Sequence, residues 1–169
     1  MAEKLIRPIR IEGNVAFVTL TKGHEAIIDA IDINVVAKWN WYAGVFKNTV
    51  YARRNIYSPK HITCHMHRLI MNPEPDMEVD HINGNGLDCR RSNMRTATRQ
   101  ENQSNQRLSS RSSSGLKGAS FYPRTGQWRS QIKVNTNYIS LGIFNTAEEA
   151  HAAYCEASAR LHGAFGRVA

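Results

Sequence analysis

The sequence predicts an α+β chain in which small antiparallel sheets come before short helices. Three observations carry this. The N-terminal third is rich in β-branched and aromatic runs separated by turn residues. A strand–loop–strand–helix order surrounds a Gly/Asn-rich centre. The C-terminal third alternates with period two and then changes to helical spacing behind a capping signal.

Taken in order, Val15 to Thr21 (VAFVTLT) predicts a strand, and Glu25 to Ile33 predicts another. Trp39 to Phe46 and Thr49 to Ile56 predict a hairpin turning at Lys47-Asn48. Ser58-Pro59 breaks the chain before a strand at about Ile62 to Met66. His65 and His67, two apart, would project from one face of it, as packing groups or phosphate contacts. Trp39, Trp41, Tyr42 and Tyr51 read as core, and no catalytic constellation is visible up to Met71. Pro73 and Pro75 mark a turn into the central region.

There, Met77 to Ile82 predicts a strand ending at Asp80-His81, and Asn83-Gly84-Asn85-Gly86 a loop whose two dipeptides both favour positive φ. Asn93 to Thr98 predicts the returning strand and Arg99 to Leu108 a short polar helix. From Asn102 to Gly115, NQSNQRLSSRSSSG has only Leu108 as a large apolar residue and reads as a Ser-rich linker. Gln127 to Val134 (QWRSQIKV) then alternates: Gln127, Arg129, Gln131 and Lys133 share one face, and Trp128, Ile132 and Val134 the other. Tyr138 to Leu141 repeats the pattern, with Ile139 and Leu141 on the apolar side. Thr146-Ala147-Glu148-Glu149 is a capping box, Gly163 suits the stop, and the Ala-rich stripe between lets the helix lie close on the sheet. The expected domains are 1–108 (a β-rich segment at 1–75 and a core at 76–108), a linker at 109–115, and 116–169.

Composition limits the function classes. The 169 residues are 41% hydrophobic and 21% charged, with no apolar run near the ~20 residues a spanning helix needs. The N-terminus MAEKLIRPIR lacks the apolar stretch of a secretion signal, and three scattered cysteines form no pair motif. The expectation is a cytoplasmic, non-secreted monomer without a membrane partner. The net charge is +8, and its location is informative. Residues 84–133 carry 10 Lys/Arg against 2 Asp/Glu, whereas residues 1–83 carry 10 against 9. Such a concentrated excess is a footprint for a polyanion.

The chemistry concentrates between Asp80 and Asn105. Asp80 and Asn102 can give hard oxygen ligands to a divalent cation, His81 can take a proton from water, and Arg90, Arg91, Arg95 and Arg99 can meet phosphates. These are the components of a metal-dependent phosphodiesterase. The ordered motif D-H-I-N-G-N…N-M-R…E-N-Q-S-N, preceded by H-M-H-R-L-I-M at 65–71, resembles the HNH nucleases. It is most similar to the phage and intron-encoded homing endonucleases with the ββα-metal fold. The resemblance implies Asp80 and Asn102 as ligands of one Mg²⁺ (or Mn²⁺), His81 as general base and Asn93 as the brace of the loop. An Asn at 102, where the broad family often has His, matches the homing subgroup.

Farther on, W-R-x-x-I at 128–132, L-G-x-F-x-T-x-E-E-A at 141–150, A-Y at 153–154 and L-H-G at 161–163 are similar to the APETALA2/ethylene-response-factor DNA-binding domain. The resemblance implies a three-stranded sheet reading the major groove of double-stranded DNA, with the helix as support. That face would carry Lys117, Ser120, Tyr122, Arg124, Arg129, Gln131, Lys133, Tyr138 and Ser140, while Arg107 and Arg111 of the linker would follow phosphates. The expected activity is site-directed DNA cleavage. The alternatives are a catalytically inactive DNA-binding regulator that keeps the nuclease fold, and an RNA-acting protein.

Overall fold

The computed structural model describes residues 6–47, 49–57, 59–109 and 112–168. It is an α+β chain that divides into two compact units, Met1–Ala97 and Thr98–Ala169. The division falls just after the second strand of the centre, so that the polar helix following it belongs to the second unit. Among the described residues no helix is long and apolar enough to cross a membrane.

The first unit opens with a three-stranded antiparallel sheet, β1 (Ile9–Glu12), β2 (Val15–Thr19) and β3 (Glu25–Asp29). Alternation in β2 buries Ala16 and Val18, and in β3 Ala26 and Ile28. The predicted strand to Ile33 is too long. Val15 pairs with Asp29, so β3 runs out of partner there. The chain then turns through a 3-10 stretch into α1 (Ile33–Val36), which buries Val36. A second sheet follows, β4 (Tyr42–Val45), β5 (Val50–Ile56) and β6 (Ile62–His65), in that order and antiparallel. The turn expected at Lys47-Asn48 and the break at Ser58 include positions outside the described residues.

β6 stops at His65 because the next six residues, Met66–Met71, form a helix, α2. His65 and His67 therefore do not share a strand. Helical spacing instead places Met66, His67 and Ile70 in the interior, and Asn72 closes the helix in the left-handed region at φ 43°. Trp41, Met66, Ala52, Ile28 and Met94 join one core, and the Trp41 indole N–H donates to Val36 O at 3.0 Å. Two short strands complete the unit, β7 (Glu78–His81) and β8 (Met94–Ala97), paired antiparallel with His81 opposite Met94 and Asp80 opposite Arg95.

The second unit begins with α3 (Arg99–Ser104), shorter than the helix expected to Leu108. Its N-terminus is closed by a capping box in which Thr98 accepts from the Glu101 amide and Glu101 accepts from Thr98 N at 2.7 Å. A three-stranded sheet then runs β9 (Ala119–Tyr122), β10 (Gln127–Val134) and β11 (Asn137–Phe144), with β10 central. α4 (Ala147–Leu161) packs on it, and its predicted capping box on Thr146 and Glu149 forms. Ile132, Tyr154 and Ala157 form the core with Val134 and Leu141. One irregularity breaks the expected alternation. Ser130 pairs with Gly142 but Gln131 with Ser140, so Leu141 is an extra residue in the ladder. Leu141, at the bulge, packs on the core, while Ile139, although opposite the buried Ile132, stays 41% exposed.

Candidate active site and nucleic-acid interface

Asp80 and His81 end β7 with their side chains buried, at 3% and 5% exposure. The loop after them is fastened at both ends. Asn93 donates from Nδ2 to the Asp88 carbonyl at 2.8 Å and to Asn83 Oδ1 at 3.1 Å. Its own Oδ1 accepts from the Asn83 amide at 3.0 Å. Asn83 Nδ2 reaches Asp88 Oδ2 at 3.0 Å, and the Asn85 and Leu87 amides close short side-chain turns. β3 holds the far side: the Ile27 amide donates to Leu87 O, and the Cys89 amide donates to Ile27 O. Of the two expected left-handed glycines, Gly84 takes φ 71°. Gly86 does not; it serves close packing, since a Cβ there would lie 2.5 Å from the Tyr51 ring.

His81 sits in an aromatic and imidazole cluster that the sequence did not reveal. Its ring centroid is 5.0 Å from His67 and 5.9 Å from Tyr51. Tyr51 in turn lies 5.3 Å from His67 and 5.9 Å from His65. Tyr51 thus belongs to the wall around His81 and is not a general core aromatic. Burial pushes the His81 imidazole down to about 4, against the opposing pull of Asp80 and Asp88. At neutral pH the ring is therefore uncharged and can accept a proton. Burial together with the charges of His81, His65 and Arg68 lowers His67 further, to about 2.

Three of the four motif arginines assigned to phosphate, Arg90, Arg91 and Arg95, each meet a carboxylate. Arg90 grips Asp88 with Nε and Nη2, both at 2.7 Å. Asp88 is held below the usual carboxylate range, first by that bond. Arg91 grips Asp32 at 3.0 and 2.7 Å and also donates to Ile70 O. Arg95 bonds Asp80 Oδ2, from Nε at 2.8 Å and Nη2 at 2.7 Å. Arg91 thus ties the segment before β8 to Asp32, 59 residues away, while Arg90 closes the loop on itself and Arg95 joins β8 to β7.

Among the described residues no group of three or more His, Cys, Asp and Glu is arranged to hold a metal. What β7 offers is a buried carboxylate with Arg95 on one oxygen. That donor chemistry suits a hard cation that keeps most of its waters, not a closed thiolate or imidazole zinc site. Asn102 lies on α3, in the second unit.

In the second unit, strand register gathers the predicted reading residues on one sheet face. Tyr122 pairs with Gln127, Ser120 with Arg129, Gln131 with Ser140, and Lys133 with Tyr138. The Arg124 and Arg129 guanidiniums lie 5.4 and 5.8 Å from the Tyr122 ring, and the Lys133 ammonium 5.9 Å from Tyr138. An open cleft is lined by Arg107, Lys117, Gln131, Lys133 and Tyr138. Lys117 is tethered there, because its Nζ donates to Ser104 O at 3.1 Å and Gln106 O at 2.6 Å. Burial lowers it to about 8. Arg111 lies outside the described residues.

No curated protein and no solved structure matches the chain. Residues 64–104, which include His65, α2, β7, the braced loop, β8 and α3, match the family model described as HNH endonuclease, and an HNH domain implies a nuclease or DNA-binding role.

Proposed function

We propose that this chain is a site-directed DNA endonuclease of the homing type, with His81 as general base. The observation that carries the reading is a buried imidazole next to a buried carboxylate, at the mouth of a loop cross-braced by Asn93, inside the HNH-matching segment. Loss of solvent keeps His81 neutral, so it can take the proton of a water that attacks the scissile phosphorus. Asn93 fixes the loop and with it the position of His81. Arg95 holds Asp80 in place. A divalent ion, Mg²⁺ or Mn²⁺, with Asp80 as carboxylate ligand and Asn102 as the amide donor that the sequence resemblance implies, would supply charge stabilisation at the phosphate. The products would carry 5′-phosphate and 3′-hydroxyl ends.

In this reading the C-terminal unit is the APETALA2-type reader, with Arg129 and Gln131 mid-strand to meet base edges and Tyr122, Arg124, Lys133 and Tyr138 around them. Arg107 and Arg111 would contact phosphates, and Lys117 would belong to the reading face. The proposed domains remain a nuclease at 1–108, a linker at 109–115 and a reader at 116–169. The test is cleavage of supercoiled plasmid and linear duplex by the full-length protein in Mg²⁺, with His81→Ala alongside. Cutting by the wild type and not by the variant supports the nuclease. DNA binding without cutting would favour the rival reading, an inactive DNA-binding regulator.

A further inference from the structure

Most cations around the braced loop are neutralised by their own carboxylates, and Arg53 is an exception. Arg10, Arg90, Arg91 and Arg95 each form an ion pair with a carboxylate, and Arg53 belongs to none of these pairs. It sits mid-strand in β5, opposite Tyr42 on one side and His65 on the other. Tyr51 is two residues away, so period two puts both side chains on the same face. That face leads to His81 through the Tyr51 ring.

The site is shaped to hold this arginine. Its stem lies flat on Gly44, where a Cβ would come 2.4 Å from Arg53 Cδ. Its guanidinium stacks 5.2 Å from the Phe46 ring and 6.0 Å from Tyr42. Nε is buried without a hydrogen-bond partner. Aromatic faces hold a guanidinium plane while leaving its edge donors for a planar or tetrahedral oxyanion. The neighbourhood is cationic: the charges of Arg53 and Arg68, added to burial, lower His65. Arg54, the next residue, also has a buried Nε without a hydrogen-bond partner, but it differs in its face. It belongs to the opposite face and stacks on Trp39 at 3.8 Å.

We propose that Arg53, cradled by Gly44, Tyr42 and Phe46, binds a backbone phosphate of the DNA strand beside His81. The inference rests on the nuclease reading for the identity of its ligand, and it gives the β4–β5–β6 sheet a substrate-holding role. The sheet then belongs to the cutting machinery and is not only its support.

The test uses the full-length protein with a labelled random-sequence duplex for binding over a salt series, and supercoiled plasmid for single-turnover cleavage. Arg53→Met keeps the stem over Gly44 and removes the charge. It should flatten the log–log salt slope by about 0.9, and lower affinity at low salt by about ten- to a hundred-fold. Arg53→Lys should restore the slope while recovering only some of the affinity. Arg53→Gln gives a second neutral side chain should Met disturb the sheet. Wild-type slope and rate in the neutral variants would overturn the proposal. So would a Lys variant whose slope matches that of Met, since packing and not charge would then be at stake. A wild type that binds but does not cut would refute the nuclease reading alone, and the salt slopes would still decide for or against Arg53. A wild type that neither binds nor cuts would overturn both.

Discussion

Asn93→Ala should unfasten the loop that positions His81, and the geometry sets the size of the effect. The substitution removes two donated bonds, to Asp88 O at 2.8 Å and Asn83 Oδ1 at 3.1 Å, and one accepted bond, from Asn83 N at 3.0 Å. Asn93 is 8% exposed, so water replaces these bonds poorly. Each bond contributes ~1 kcal/mol net, and a stranded buried group costs somewhat more, which gives a loss of about 3 kcal/mol. The loop does not detach, because Ile27 still clasps Leu87 and Cys89 and because the Ile82 amide still donates to Asn93 O. Denaturant unfolding of the full chain measures the total. Amide hydrogen exchange locates it, since Asn83 should lose protection while Ile82 keeps it. Asn93→Asp retains the acceptor and loses both donors, so it should preserve protection at Asn83 yet be destabilised. A loss under ~1 kcal/mol in the Ala variant, with Asn83 still protected, would refute the bracing argument.

Four further outcomes are expected. His81→Ala and Asp80→Ala should each abolish cleavage, and His81→Ala should leave duplex affinity nearly unchanged. Turnover retained by His81→Ala would remove it as the base. Arg95→Ala removes both guanidinium bonds to the buried Asp80 carboxylate and should cost about 3 kcal/mol. Millimolar Mg²⁺ should recover some of the melting temperature, and a melt insensitive to Mg²⁺ would count against Asp80 as a ligand. The folded pKa of His67, about 2, lies below its unfolded value of 6.5, so its contribution is present above pH 6.5 and lost as pH falls toward 2. At pH 5 the loss should be about 2 kcal/mol, and His67→Phe should flatten that acid limb in chemical denaturation. In the second unit, Arg129→Ala and Gln131→Ala should change the preferred sequence by ~1–3 kcal/mol per base, whereas Arg107→Ala should weaken binding to all sequences. Selection from a randomised duplex pool separates these effects, and uniform weakening in all three would make the sheet a phosphate clamp.

How much of this was legible depends on whether the determining contacts are local. The Thr146–Glu149 box and the alternation of β10 are encoded within a few residues, and both could be read with their bounds almost correct. The loop at 83–86 was legible because the Asn83 and Asn85 side chains each accept from the backbone amide two positions on. α2 was not. With His65 before it, its start reads His-Met-His and looks like strand alternation, and the helix is selected by burying Met66, His67 and Ile70 in the interior among distant strands. Nor could charge alone sort the arginines. Arg91 and Arg53 look equivalent in sequence, yet Asp32 waits for one from 59 residues away, and the other lies on a glycine between aromatic rings.

The same contrast sharpens the functional argument. An arginine-rich stretch suggests a polyanion footprint, but three arginines in it, Arg90, Arg91 and Arg95, are committed to carboxylates. Their charges are largely cancelled where a phosphate would approach. In the nuclease reading, attraction for DNA in the first unit would then come from cations outside the motif, and Arg53 and Arg68 already make the surroundings of His65 positive. A nuclease core can thus commit its motif arginines to rigidity, keeping Asp80 and His81 fixed, while a strand outside the motif supplies the grip on substrate.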